Sequence, residues 1–379
     1  MDLRRSLTSF ASTAAFGALV LFAAGGARAQ APAAPAAPGD AAAAPARDLP
    51  LWAYPVAPAT GRRGPGRPGG RGFAPGGRGP GAPGGNAGNA AAAADTGPKE
   101  HVPGSSAGYS KAYIANLYTV PDWFPSSHPP MPAVVATGDR ANGVAACGYC
   151  HLPTGAGRPE NESVAGLPKA YILEQLDAFR SGDRHSSSPR MGSVSFMVRV
   201  AKGLTPDEMQ QAADYFSSLK LPEDWIQVKE AATVPVTRAQ GGMMVAVPDG
   251  GTEPIGDRVI EVSVDQARTE LRDTTSGFIA YVPPGSIARG KEIVTTGKDA
   301  SGNVLSPMAC TMCHGQDLHG MANIPGIAGR SPSQMAREII DIQTGARKGG
   351  QVALMEAPVK NLTDAQIVDV VAYLASQKP

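Results

Sequence analysis

The sequence predicts a mainly α-helical chain of two small tandem domains, joined by a short β-rich insert and preceded by a disordered linker. Three observations predict this. One five-residue pattern occurs twice, as Cys147-Gly148-Tyr149-Cys150-His151 and as Cys310-Thr311-Met312-Cys313-His314. The residues after each copy align with each other in register, which marks a duplicated domain rather than a solenoid. The stretches outside the two copies differ in composition, one rich in Ala, Pro and Gly and the other in β-branched residues.

From the N-terminus, Arg4 and Arg5 precede an apolar run over 14–24 and then Ala27-Arg28-Ala29. Residues 1–29 therefore read as a secretory signal peptide cleaved after Ala29. The apolar run is shorter than a membrane span needs, and a retained anchor is the alternative. Residues 30–100 have almost no large apolar side chains and cannot offset the entropy of ordering, so they read as a disordered linker. Its one apolar island is Leu49-Pro50-Leu51-Trp52-Ala53-Tyr54. Beyond it come Arg62, Arg63, Arg67, Arg71 and Arg78 with no acidic residue among them. Such a basic tether admits peripheral contact with anionic lipid or an acidic partner; the plainer reading is a soluble spacer. The formal net charge is +1, which makes no case for nucleic acid as a partner.

The repeated motif has the form C-x-x-C-H, the pattern of covalent c-type haem attachment. On a helical turn, positions i, i+3 and i+4 share a face. Two thiols can then bond the haem vinyl groups while the imidazole takes the iron. Cys147, Cys150, Cys310 and Cys313 are the only cysteines in the chain, and the motifs use all four. His151 and His314 are then the proximal iron ligands of two haems c. A Cys₄ zinc site or a pair of redox disulfides would also use four cysteines. Neither explains a histidine directly after the second cysteine in both copies.

His314 lies 163 residues after His151, and the same offset aligns Ala165-Gly166 with Ala328-Gly329 and Gly182-Asp183-Arg184 with Gly345-Ala346-Arg347. Further on the offset is 158, which aligns Met197 with Met355 and Leu204-Thr205 with Leu362-Thr363. The first domain, with an N-terminal extension containing prolines and the aromatics Tyr109, Tyr113, Tyr118, Trp123 and Phe124, occupies 101–220, and the second 286–379. Each reads as helix, haem loop, helix, loop, helix. The spacing predicts helices over 167–181 and 286–296, ending at Gly182 and Gly297. Capping boxes at Thr205 and Thr363 open the last helix of each domain. Between the domains, residues 221–285 show alternating β-branched positions and Gly-Gly and Pro-Pro turns, which predict a few short strands.

An attached haem retains one open axial position. A methionine there closes the site and raises the potential, as an electron carrier requires. Met355 is the only methionine after Met335. In the first domain Met191 and Met197 compete, and the alignment with Met355 selects Met197. His319 follows His314 too closely to reach the opposite haem face. Arg180, Arg184 and Arg347 read as haem-propionate partners or as solvated surface residues. Pro325 is placed to orient His314 through its carbonyl; its aligned partner, Glu162, departs from that pattern.

With Phe179-Arg180-Ser181-Gly182-Asp183-Arg184, Met197 before Leu204-Thr205, and the closing Tyr215-Phe216 helix, the paired motifs resemble class I cytochromes c, specifically dihaem cytochromes of the c4 type. The resemblance covers roughly 131–220 and 286–377. It implies two tandem cytochrome c-like helical haem domains and electron transfer between periplasmic or membrane-bound redox proteins. The donor would be a dehydrogenase and the acceptor an oxidase or another protein. Thioether attachment in bacteria also implies the periplasm, which agrees with the signal peptide. Under this reading the chain has no catalytic residues. The competing readings are a dihaem enzyme of the peroxidase or thiosulfate dehydrogenase type and the cytochrome subunit of a dehydrogenase complex.

Overall fold

The structure, a computed structural model, describes residues 48–56 and 95–379. The expected signal peptide and the arginine-bearing stretch 62–78 lie outside the described residues.

The first repeat is built from α1 (Cys147–His151), α2 (Lys169–Ser181), α3 (Gly192–Gly203) and α4 (Pro206–Ser217). The second consists of α5 (Ser286–Thr296), α6 (Thr311–His314), α7 (Pro332–Gln343), α8 (Ala353–Val359) and α9 (Asp364–Ser376). Local chemistry sets most boundaries. Gly182 ends α2 at φ 92°, a conformation that favours glycine. Both expected capping boxes form, Thr205 with Glu208 and Thr363 with Gln366.

α3 and α8 are departures from the expectation, which put Met197 and Met355 in loops. Their helical signal is weak. α3 has no side-chain cap at its start and carries Val194, Val198 and Val200, whose branching restricts rotamers in a helix. α8 has Pro358 inside it. Tertiary contacts hold their ends instead. Arg180 donates from Nε and Nη2 to the carbonyls of Ala201 and Leu204, so it caps α3. Gln343, 163 residues later, does the same for Val359 and Leu362 at the end of α8.

The insert contains β1 (Ile226–Glu230), β2 (Thr233–Pro235), β3 (Thr237–Gln240), β4 (Met243–Ala246), β5 (Thr252–Pro254), β6 (Ile260–Ser263) and β7 (Phe278–Val282). β1 pairs in parallel with β7, which pairs antiparallel with β6. β3 with β4 and β2 with β5 form separate antiparallel pairs. Ile260 and Val262 on one face of the three-stranded sheet, and Phe278 and Ala280 on the other, share one apolar cluster with Ile293, Val368 and Val371 of the second repeat. The first repeat has its own cluster around Leu167, Ile172, Leu204 and Phe216. Trp52 and Tyr54 of the N-terminal island are buried in the second repeat's cluster. In the extension, Trp123 donates from its indole to the Leu271 carbonyl of the insert at 2.8 Å.

The two repeats meet at an antiparallel bridge between Arg184 and Arg347. His185 N–H donates to Ala346 and Lys348 N–H donates to Asp183, both at 2.9 Å. The 163-residue offset exchanges these two bonds, so the seam is a local two-fold of the duplicated unit. Among the described residues no helix is long and apolar enough to cross a membrane.

Candidate functional site

Each C-x-x-C-H motif forms a short helix at the wall of an apolar cavity. The first cavity is lined by Cys147, Cys150 and His151, with Phe179, Phe196 and Met197 also contributing. The second is lined by Cys310, Cys313 and His314, with Ile293, Met335 and Met355. The two cysteine pairs thus serve separate cavities, which removes the Cys₄ zinc reading. Met191 lines neither cavity; it is 1% exposed at the start of α3.

Both motif histidines are oriented alike. His151 Nδ1 lies 2.8 Å from the Glu162 carbonyl, and His314 Nδ1 lies 2.8 Å from the Pro325 carbonyl. Because only a backbone oxygen is needed, Glu162 replaces proline without loss of the contact. Donation from Nδ1–H fixes the tautomer and leaves the Nε2 lone pair free as a ligand. Burial pushes the pKa of both imidazoles down, opposed by these carbonyl bonds, and so favours the neutral, ligating form. His314 Nε2 is buried without a hydrogen-bond partner, an atom that an iron would satisfy. Burial also pushes the Cys147 thiol up to about 12 and the Cys310 thiol to about 11. Two thiols, one oriented imidazole and an apolar slot with a thioether in its lining fit a covalently held haem in both repeats.

The cavities share a wall that sequence reasoning missed. Glu162, Leu167, Tyr171, Gln175, Gln334 and Glu338 line both. Arg184 donates to Glu162 at 2.8 Å, to Glu338 at 2.7 Å and to Gln175 at 3.1 Å. Arg347 donates to Glu338, to Tyr171 at 2.8 Å and to Gln175 at 3.0 Å. Burial opposes the Arg184 charge, but Glu338 and Glu162 outweigh it and its pKa rises. Burial likewise opposes the Glu338 carboxylate, and Arg184 and Arg347 hold its pKa down. Both guanidinium groups thus have carboxylate partners within the protein. One buried atom of the wall, Arg347 Nε, has no partner. The available signal was the repeat offset itself, which pairs Tyr171 with Gln334, Gln175 with Glu338, and Arg184 with Arg347.

The outer edges of the sites differ. Tyr149, inside the first motif, is 9% exposed, and the Arg272 guanidinium lies 3.6 Å from its ring centroid. Its counterpart Met312 is 62% exposed, and Leu354, which lines the second cavity, is 66% exposed. His319 is turned away, with Nε2 at 3.0 Å from the Lys378 carbonyl. His185 lies at the rim of the first cavity.

The family described as Cytochrome c matches residues 287–378. Cytochrome c-554(548) of Halomonas halodenitrificans is 40% identical over 70 residues, 18% of this chain and 84% of that protein. The thiosulfate dehydrogenase electron acceptor of Thiomonas intermedia is 25% identical over 237 residues, 62% of this chain and 79% of that protein. Cytochrome c4 of Pseudomonas aeruginosa is 35% identical over 81 residues, 21% of this chain and 39% of that protein.

Proposed function

The chain belongs to the cytochrome c family and is similar to the cytochromes c4 within it; from that premise we propose that it carries electrons between redox partners through two His/Met-ligated haems. Haem c, when bound, supplies one-electron chemistry at its iron. Cys147 and Cys150 would hold one haem and Cys310 and Cys313 the other, with His151 and Met197 serving one iron and His314 and Met355 the other. The observation that carries this reading is the placement of each motif and its repeat-equivalent methionine in one apolar cavity. Helices α3 and α8 hold the methionines, and Arg180 and Gln343 hold the helix ends. The shared wall keeps the two sites adjacent, and its charges are neutralised within the protein.

We place the protein in the periplasm, with a dehydrogenase as donor. The relative from Thiomonas intermedia, named as an acceptor for thiosulfate dehydrogenase, supports that class of donor. It also keeps open the second reading, a dihaem enzyme or the cytochrome subunit of a dehydrogenase complex. An enzymatic site needs an open iron, whereas here a methionine lines each cavity.

The test is the visible spectrum of the dithionite-reduced protein with and without carbon monoxide. Electron transfer predicts no change in the wild type. Met197→Ala and Met355→Ala should each open one haem to carbon monoxide, while Met191→Ala should open none. Carbon monoxide binding by the wild type would overturn the His/Met assignment and favour the enzymatic reading.

A further inference from the structure

The segment 48–56 lies outside both repeats, yet it reaches the seam between them. Tyr54 is 1% exposed and donates its hydroxyl to Asp341 Oδ1 at 2.7 Å. The Ala53 carbonyl accepts from Arg337 at 2.8 Å. Asp341 and Arg337 belong to α7 of the second repeat, but both line the cavity of the first. Their aligned counterparts in the first repeat, Ala178 and Glu174, do not line the second cavity. This contact is therefore one-sided in an otherwise two-fold arrangement.

On the reading that two haems are bound, we propose that the strap at 48–56 is a positioning element. Through Tyr54 and Ala53 it holds the charges of Asp341 and Arg337 against the first haem and sets that haem's potential apart from the second's. The Asp341 carboxylate receives the Tyr54 hydroxyl and, at 2.8 and 2.6 Å, the Ser187 N–H and hydroxyl. The charged groups facing it are Glu338 and Arg337 on its own helix, with Arg184 and Arg347 paired to Glu338. Burial raises the Asp341 pKa; Glu338 adds to this, and the Ser187 and Tyr54 bonds oppose it. Loss of the Tyr54 hydroxyl removes one donor and favours protonation of Asp341. A neutral Asp341 disfavours the ferric, more positive state, so the potential of the facing haem rises.

The experiment is potentiometric titration of the full haem-loaded chain at several pH values, for wild type, Tyr54→Phe and Asp341→Asn. Haem content is measured beforehand by the alkaline pyridine spectrum. Tyr54→Phe should raise one of the two potentials and move its pH inflection upward, leaving the other potential in place. Asp341→Asn should raise the same potential and abolish the inflection. If both variants carry two haems and neither potential moves, the strap is only structural and the proposal is overturned. Fewer than two haems in the wild type would instead overturn the dihaem reading on which it rests.

Discussion

A few atoms in each repeat decide what the motif can do. The Nδ1 contacts of His151 and His314 need a carbonyl at one place and nothing from the side chain that carries it, so Glu162 and Pro325 are interchangeable there. Backbone conformation after the motif is less forgiving. Gly315 follows His314 at φ 86° and ψ 155°, and the first repeat puts Leu152 there at φ 64° and ψ 157°. That region is essentially reserved for glycine. Leu152 is 1% exposed within the main apolar cluster, so burial offsets its strain. A different residue couples this domain to pH. His128 is hydrogen-bonded through Nε2 to Asp122 and through Nδ1 to the Pro129 carbonyl, an arrangement that suits the imidazolium. The Asp122 hydrogen bond raises its pKa against the opposing effect of burial. His128 thus contributes fully below its ordinary value of about 6.5 and loses that contribution as pH rises through the folded value. Thermal midpoints of wild type and His128→Gln should differ most near pH 5.5 and converge above the folded pKa. A difference independent of pH would contradict this. No motif or repeat position in the sequence pointed to His128, and its contact with Tyr215 of α4 exists only once the extension has packed there.

At the scale of elements, the helices with local signals were legible and those without were not. Thr205 and Thr363 announce α4 and α9 through side chains that satisfy exposed N–H groups at the helix start. Removing either by Thr205→Ala or Thr363→Ala should cost about 1 kcal/mol, measurable by denaturant unfolding with the haem content unchanged. An unaltered midpoint would show that tertiary packing alone holds these helices. By contrast, α3 and α8 depend on capping by Arg180 and Gln343 from distant helices. The repeat offset aligned Met197 with Met355 but gave no sign of the helices that carry them. The insert was recognisable as strands from its alternation, although its docking was not. Glu261 of β6 accepts from Ser331 and Ser333 at the start of α7, a carboxylate placed at a helix N-terminus.

Over the whole molecule, the seam between the repeats concentrates buried charge. Arg184 and Arg347 are 5% and 8% exposed, and both depend on Glu338. Glu338→Ala leaves buried Arg347 without its carboxylate and Arg184 with Glu162 alone, and should destabilise by about 3–5 kcal/mol. Calorimetry should show the two repeats losing cooperativity, and a single undisturbed transition would argue against the seam as their link. By itself the sequence determined the duplication, the four cysteines, the two histidines and the pair of aligned methionines, because a covalent motif and a repeat offset are local, countable patterns. The shared wall, the strap behind it and the covered first edge were decided by tertiary structure alone. Each depends on side chains far apart in the chain whose charges and apolar surfaces find partners only once the two repeats and the insert have packed.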